Sequence, residues 1–303
     1  MSAHSIAVFN AEQTAQLLDF RGLVSAIATA CTEYANGAIS APERQVVPFP
    51  QGGVMLSMPA TAHDIGIHKL VNVMPGNRAL DLPTIHGVVS AFDGKTGREL
   101  CVLDGPTVTA RRTAAVTMLG LKTFLKGDPR HVALIGVGTQ AVGHIQALAA
   151  LYPGLRVTAV GTSHAKAQAF VDAHQHLPLE LTPATATPHD IDAVITLTTS
   201  AIPVYTQAAK AGLLVIGVGA FKPELAEIGA ATLQGSCVYV DDPAGARHEA
   251  GDLIQANIDW SKVLPLSQAL ANGAPLDQPI VFKTVGCAAW DLAAARCALR
   301  KIK

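Results

Sequence analysis

The run Gly136-Val137-Gly138-Thr139-Gln140-Ala141 follows the apolar stretch His131–Ile135 and opens a helical pattern. This is the G-x-G-x-x-G/A order of a dinucleotide-binding turn. Gly136 permits the tight turn, Gly138 lets a pyrophosphate approach the backbone, and the small Ala141 lets the helix lie close to its strand. The helix start at Thr139 and Gln140 offers N–H groups and a partial positive charge to phosphate. An NAD site usually adds an acid about 20 residues on, at the end of the second strand, to hold the ribose 2′-hydroxyl. None occurs between Gly136 and Asp172, and the second strand pattern runs instead into Gly161-Thr162-Ser163-His164, with Lys166 beside it. Hydroxyls and a cation there can receive a 2′-phosphate, so NADPH is the expected cofactor, and the lack of an arginine leaves room for NADH. Thr198-Thr199-Ser200 follows the third core strand, at the sheet edge where ligands bind in this architecture, although a helix cap would use the same residue types.

If a bound cofactor supplies hydride, the protein must hold the substrate and supply or remove a proton. The first half of the chain has cations where its apolar pattern does not ask for them. Arg44 begins a β-like run, Lys69 lies within another, and Arg112 sits beside Arg111 on an Ala-rich helical stretch. Converging, three such groups would bind a carboxylate, with an arginine giving a two-pronged grip. Taken singly, each reads better as a solvent-facing charge. Lys69 would bond the same carboxylate or help supply the proton, and His86, in Thr84-Ile85-His86-Gly87, is a second candidate proton donor, although a core or surface place is the commoner fate of a histidine.

These residues need two kinds of scaffold. Glu12–Ala35 has an apolar period of three to four, so one helix is expected there, closing near Asn36-Gly37. From Glu43 to Leu103 short β-rich runs alternate with turns, including a hairpin loop at residues 93–98, which predicts an antiparallel sheet or barrel. Thr107–Phe124 reads as a helix. Strands are expected at His131–Ile135, Arg156–Val160, Ala193–Leu197, Leu214–Val218 and Cys237–Val240, with helices between them, notably Gln140–Leu151 and Ala165–Ala173. That alternation predicts a parallel, doubly wound Rossmann-type sheet. Leu177–Pro188 reads as a connection, and residues 286–300 as a final Ala-rich helix. The fold class is therefore α/β, with a Rossmann-type domain at residues 119–285. A substrate-binding and dimerisation domain at residues 1–118 is joined by the C-terminal helix 286–303.

Composition bounds the partners. Of 303 residues 50% are hydrophobic and 15% charged, with a net charge of −1, so no basic surplus draws nucleic acid. No apolar run reaches the roughly 20 residues of a membrane span, and the opening MSAHSIAVFN shows no leader pattern. Five scattered cysteines without a C-x-x-C pair fit a reducing compartment, so the cytoplasm is expected. The eleven histidines are also scattered, and no metal is expected.

The stretch from Asp104 to Ala115, DGPTVTARRTAA, followed by the Gly136 turn, resembles the ornithine cyclodeaminase/μ-crystallin family. Met58-Pro59, the Lys69 strand, Thr198-Thr199-Ser200 with Pro203-Val204, and Val285-Gly286 before the last helix are similar as well, so the likeness spans nearly the whole chain. The resemblance implies a homodimer with an open antiparallel barrel and a Rossmann unit. It assigns Arg44, Lys69 and Arg112, with Thr84, to the substrate carboxylate, and Val218, Gly219, Val285 and Gly286 to the cofactor. Arg112, not Arg111, matches the family's R-T-A-A pattern. The family's cyclodeaminases carry an aspartate after the strand ending in Gly217-Val218-Gly219; here Phe221 or Ala220 takes its place. The resemblance therefore points to the family's bacterial ketimine reductases. These reduce cyclic imino acids such as Δ1-pyrroline-2-carboxylate and Δ1-piperideine-2-carboxylate, in the breakdown of trans-3-hydroxy-L-proline or lysine. Alanine dehydrogenase, ornithine cyclodeaminase and a non-catalytic NADPH-binding role are the alternatives.

Overall fold

The structure, a computed structural model, describes residues 6–302. The start of the segment inspected for a leader, and the last residue of the expected C-terminal helix, lie outside the described residues. The chain divides into two compact units, one of residues 1–113 with 287–303 and the other of residues 114–286. The division falls inside the helix Gly105–Phe124, a few residues before the boundary expected from sequence.

The first unit contains β1 (Ala7–Val8), α1 (Ala11–Leu17), α2 (Phe20–Ala35), β2 (Gln45–Pro48), β3 (Val54–Thr61), β4 (Ile65–Val73), β5 (Ile85–Asp93), β6 (Glu99–Asp104) and the start of α3 (Gly105–Phe124). Its six-stranded sheet has the order β1-β6-β5-β4-β3-β2, antiparallel except for the β1/β6 pair, and β1 and β2 are its two edges, so the sheet is open. The single helix expected over Glu12–Ala35 is two helices. Leu18 leaves helical geometry at φ −108° and ψ 64°, and the Asp19 carboxylate restarts the chain as an N-cap, accepting the Gly22 N–H at 2.8 Å. Along β4 the residues alternate between buried and half-buried, so Ile65, Ile67, Lys69 and Val71 share the inner face. The final helix of the chain, Ala288–Ile302, packs on α2 and on β3 and β4. Its alanines at 288, 289, 293 and 295 are buried and allow close approach to the sheet.

The second unit continues with β7 (His131–Ile135), α4 (Thr139–Leu151), β8 (Arg156–Val160), α5 (His164–His174), β9 (Glu180–Ala184), β10 (Ala193–Thr196), β11 (Leu214–Gly217), α6 (Ala230–Gln234), β12 (Cys237–Val240), α7 (Pro243–Glu249), α8 (Gly251–Gln255), β13 (Leu264–Pro265), α9 (Leu266–Asn272) and β14 (Ile280–Lys283); α10 is the final helix already described. All eight strands are parallel, in the order β13-β12-β14-β11-β10-β7-β8-β9. The chain runs outward from β7 through β8 to β9 and then crosses to β10 on the other side of β7. That reversal makes the β7/β10 junction the topological switch point, the place where such sheets bind ligands beyond their strand ends. The expected connection at residues 177–188 contains the edge strand β9, whose Pro183 pairs with Ala159. No described helix is long and apolar enough to cross a membrane.

Candidate active site

Two sequence-predicted cations of the first unit meet on an acid that the sequence did not single out. Asp104 accepts the Thr107 N–H at 2.8 Å and so fixes the start of α3. Two turns later Arg111 and Arg112 point in different directions, as successive residues of a helix must. Arg111 donates to the Leu18 carbonyl at 2.8 Å and lies 4.0 Å from the centre of the Phe20 ring, a structural role. Arg112 turns inward, with Nε 3.2 Å from Oδ1 of Asp291. On the inner face of β4, Lys69 places Nζ 2.7 Å from the other oxygen of that carboxylate. Lys69 is 3% exposed, Arg112 6% and Asp291 0%. Asp291 lies in the first turn of α10, where the helix N-terminus favours an anion.

Burial pulls the Lys69 ammonium down to about 8; Asp291 opposes that fall, while Arg112 and then Arg44 add to it. Arg44, half-buried just before β2, is thus an electrostatic neighbour of Lys69. The cluster holds two buried cations and a third nearby against one buried carboxylate, so its surplus is positive. A second carboxylate, supplied by a substrate, would balance it.

Thr84 and His86 join this group less well. Thr84 is half-buried and its carbonyl accepts the Met74 N–H at 2.7 Å. His86 is exposed on β5, with Nε2 3.4 Å from Nδ2 of Asn77. In the β4/β5 ladder it faces Asn72, whereas Lys69 faces Val89. Side chains alternate along a strand, so His86 lies on the face of the sheet opposite Lys69. A surface hollow of about 540 Å³ in the same unit, lined among others by Glu33, Asp64 and Arg296, contains none of the predicted residues. Arg296 there is already paired with Glu33 and Asp64.

The second unit places the predicted cofactor residues at the C-terminal ends of its strands. Gly136 has φ 106°, and a Cβ there would press on the Leu197 carbonyl at 2.9 Å; only glycine fits the turn. Gly138 is the N-cap of α4, no side chain caps it, and open space surrounds its Cα. Thr139 is exposed, while Ala141 is fully buried where the helix meets the sheet. Gln140 carries a buried Oε1 with no hydrogen-bond partner. An uncapped helix start beside a glycine that leaves room for a ligand fits a pyrophosphate. Thr162, Ser163 and His164 are exposed after β8, and Ser163 caps α5. Thr198, Thr199 and Ser200 follow β10, Val218 and Gly219 follow β11, and Val285 and Gly286 follow β14. Among the described residues no group of three His, Cys, Asp or Glu side chains could hold a metal ion.

The family model of the ornithine cyclodeaminase/mu-crystallin family matches residues 5–303. The chain belongs to that family. It is 55% identical over 293 residues to Delta(1)-pyrroline-2-carboxylate reductase 1 of Burkholderia multivorans, covering 96% of this chain and 94% of the relative. The Delta(1)-pyrroline-2-carboxylate/Delta(1)-piperideine-2-carboxylate reductase of Azospirillum brasilense is 53% identical over 295 residues, with 97% and 95% covered. The fold is also that of the Delta(1)-pyrroline-2-carboxylate reductase of Thermococcus litoralis, solved with NADH and L-proline. That likeness has a TM-score of 0.88 at 23% identity, with 98% and 97% of the two chains covered.

Family membership sharpens the reading of the loop after β11. Ala220 is fully buried and Phe221 half-buried, so neither candidate position offers a carboxylate. Further along this loop lies Glu227, an acid that the sequence did not single out. It is 0% exposed, and both its oxygens accept backbone N–H groups, from Thr198, Gly219 and Ala220. Fully buried and already accepting three backbone N–H groups, it is not placed to meet a substrate amine.

Proposed function

We propose that this chain reduces cyclic imino acids in which the C=N bond adjoins a carboxylate. Δ1-Pyrroline-2-carboxylate would give L-proline and Δ1-piperideine-2-carboxylate would give L-pipecolate. The observation that carries this reading is the buried Lys69, an ammonium with its pKa near 8, held beside Arg112 by Asp291. Arg112, with Arg44, grips the substrate carboxylate, and that charge balances the cluster's positive surplus. Lys69 donates its proton to the imine nitrogen, because an iminium accepts hydride better than a neutral imine, and recovers a proton from water after product leaves. The nicotinamide supplies the hydride that the ring carbon receives. The occupied oxygens of Glu227, and the uncharged Ala220 and Phe221, weigh against amine elimination.

The test is spectrophotometric oxidation of NADPH with each imino acid, beside pyruvate plus ammonia, and ammonia release from ornithine. Turnover on the imines alone is expected. Turnover on pyruvate plus ammonia or on ornithine, with none on either imine, would replace this reading with one of its rivals.

NADPH is the reductant we assign, because the turn after β8 presents exposed Thr162, Ser163, His164 and Lys166 and no acid. Thr162→Asp should lower the NADPH-to-NADH ratio of kcat/KM by on the order of tenfold, since a carboxylate repels the 2′-phosphate and accepts from the 2′-hydroxyl. An unchanged ratio would place the 2′ site elsewhere. The partner we assign is a second copy of the chain. Val46 and Val47 on the edge strand β2 are exposed, as are Leu80 and Leu82, and an open sheet edge bearing apolar side chains supports pairing with a second copy. A monomer mass in light scattering would remove that assignment. Scattered cysteines support the cytoplasm as the location.

A further inference from the structure

Two buried carboxylates, neither able to touch a substrate, hold the loops that follow β10, β11 and β14. Glu227 accepts the N–H of Thr198 at 2.5 Å, of Gly219 at 2.6 Å and of Ala220 at 3.1 Å. Its carbonyl takes the N–H groups of Val204 and Tyr205 at 2.8 and 2.9 Å. One residue therefore ties together the loop after β10, the loop after β11 and the segment at Val204. A Cβ on Gly219 would overlap the Thr198 backbone and the Glu227 carboxylate, so the two loops are in backbone contact. Asp241 does the same for the third loop, accepting from Thr284 Oγ1 at 2.6 Å and from the N–H groups of Val285 and Gly286, each at 3.0 Å.

The hub is itself anchored. Asp252 accepts the N–H groups of Glu227 and Ile228, and its second oxygen lies 2.8 Å from Lys283 Nζ. Asp252 and Lys283 are 1% and 0% exposed. A buried carboxylate is costly unless donors surround it. Three N–H groups and the nearby Lys283 charge offset that cost for Glu227, yet burial still pushes its carboxyl up. Such an arrangement is expensive as mere packing, and what it fixes is the position of Thr198, Gly219, Val285 and Gly286.

A Rossmann-type sheet binds a dinucleotide by halves, one mononucleotide on each side of the switch point. The Gly136 turn with β7, β8 and β9 serves the adenylate half. The loops tied by Glu227 lie on the other half. We propose that Glu227 is a positioning residue which welds the loops after β10 and β11 into a fixed floor for the nicotinamide half of the cofactor. Because the N–H groups of Thr198, Gly219 and Ala220 are committed to Glu227, these three residues offer the nicotinamide nucleotide their carbonyls, side chains and surface, not their amides. This rests on the reading that the second unit holds a nicotinamide dinucleotide.

The variant is Glu227→Gln, which keeps the shape but turns an NH2 group toward a row of N–H donors. Amide hydrogen exchange of the cofactor-free protein should quicken by roughly tenfold or more at Thr198, Gly219 and Ala220, since each amide loses a charged acceptor. Titration should weaken NADPH by roughly tenfold while adenosine 2′,5′-bisphosphate, which has no nicotinamide, shifts by less than about twofold. General damage to the unit would weaken both ligands together, and that result, or unchanged exchange at the three amides, overturns the proposal. If Glu227→Gln does not fold, Glu227→Asp keeps the charge but is too short to span both loops, and the same criteria apply to it. Failure of the wild-type chain to bind NADPH and the bisphosphate at all would instead count against the cofactor reading, while the exchange result would still decide whether Glu227 fixes the loops.

Discussion

Lys69→Met should lower kcat for imine reduction by roughly 10²- to 10⁴-fold, the usual contribution of a positioned general acid. Methionine matches the length of the lysine stem and is apolar, so it suits the inner face of β4 between Ile67 and Val71. Asp291 and Arg112 remain paired, and the fold should survive. The wild-type pH profile carries the sharper signature. Lys69 acts as an acid only while protonated, so kcat/KM should fall as pH rises through about 8, the value to which burial brings it. A bound substrate carboxylate adds negative charge beside the ammonium, so the same limb in kcat should lie at higher pH. In Lys69→Met the limb should vanish. If Lys69 only binds the carboxylate, KM will rise with kcat nearly unchanged, and a limb that persists in the variant would belong to another group; either result would move the proton-donor role elsewhere.

The Rossmann half was legible because its strands are buried on both faces and read as continuous apolar runs. The limits expected for β7, β8 and β12 are those observed. β9 escaped because an interior proline argues against a strand, whereas an edge strand tolerates one. β1, with two residues, has no sequence period to detect. The break between α1 and α2 did leave a signal, an aspartate inside an apolar helical period, and Asp19 proves to be the cap.

The site was legible where a charge interrupted an apolar pattern and illegible where it did not. Lys69 and Arg112 stood out for that reason. Asp291 sits between Trp290 and Leu292 in an alanine-rich helix, and it reads there as an ordinary first-turn acid favoured by the helix N-terminus. Only the tertiary packing of α10 on β4 turns it inward. That His86 lies on the other face from Lys69 was not legible, because a strand's period places it relative to its own neighbours, while the face shared with Lys69 depends on the β4/β5 register. Glu227, Asp241 and Asp252 follow or precede short loops, where an acid ordinarily faces water, and nothing local reveals that backbone N–H groups wait for them. Lys283 ends a four-residue apolar run, as many exposed lysines do, yet it is fully buried.

Asp291→Ala should destabilise the chain by about 3–5 kcal/mol, the usual cost of removing one partner from a buried ion pair. The loss arises because Lys69 and Arg112 are left in a dry environment facing each other and Arg44, not because the two ion pairs themselves add that much. Asp291→Asn should cost less, since the amide oxygen still accepts from one cation. Both variants should also move the pH response. Asp291 is the main influence holding the Lys69 ammonium up, so without it the folded-state value drops further below about 8, while the unfolded value stays near 10.4. Between those limits the unfolded chain binds more protons than the folded one, and stability rises with pH. In the wild type that gain is confined to the window from about 8 upward; in the variants it should begin at lower pH. The same displacement should shift the high-pH limb of kcat/KM downward, as loss of packing alone would not. Denaturant midpoints measured across pH, beside pH–rate profiles of Asp291→Asn, read both effects. A limb that stays in place when Asp291 is neutralised would show that the carboxylate does not set the ionisation of Lys69, and would leave it only a packing role.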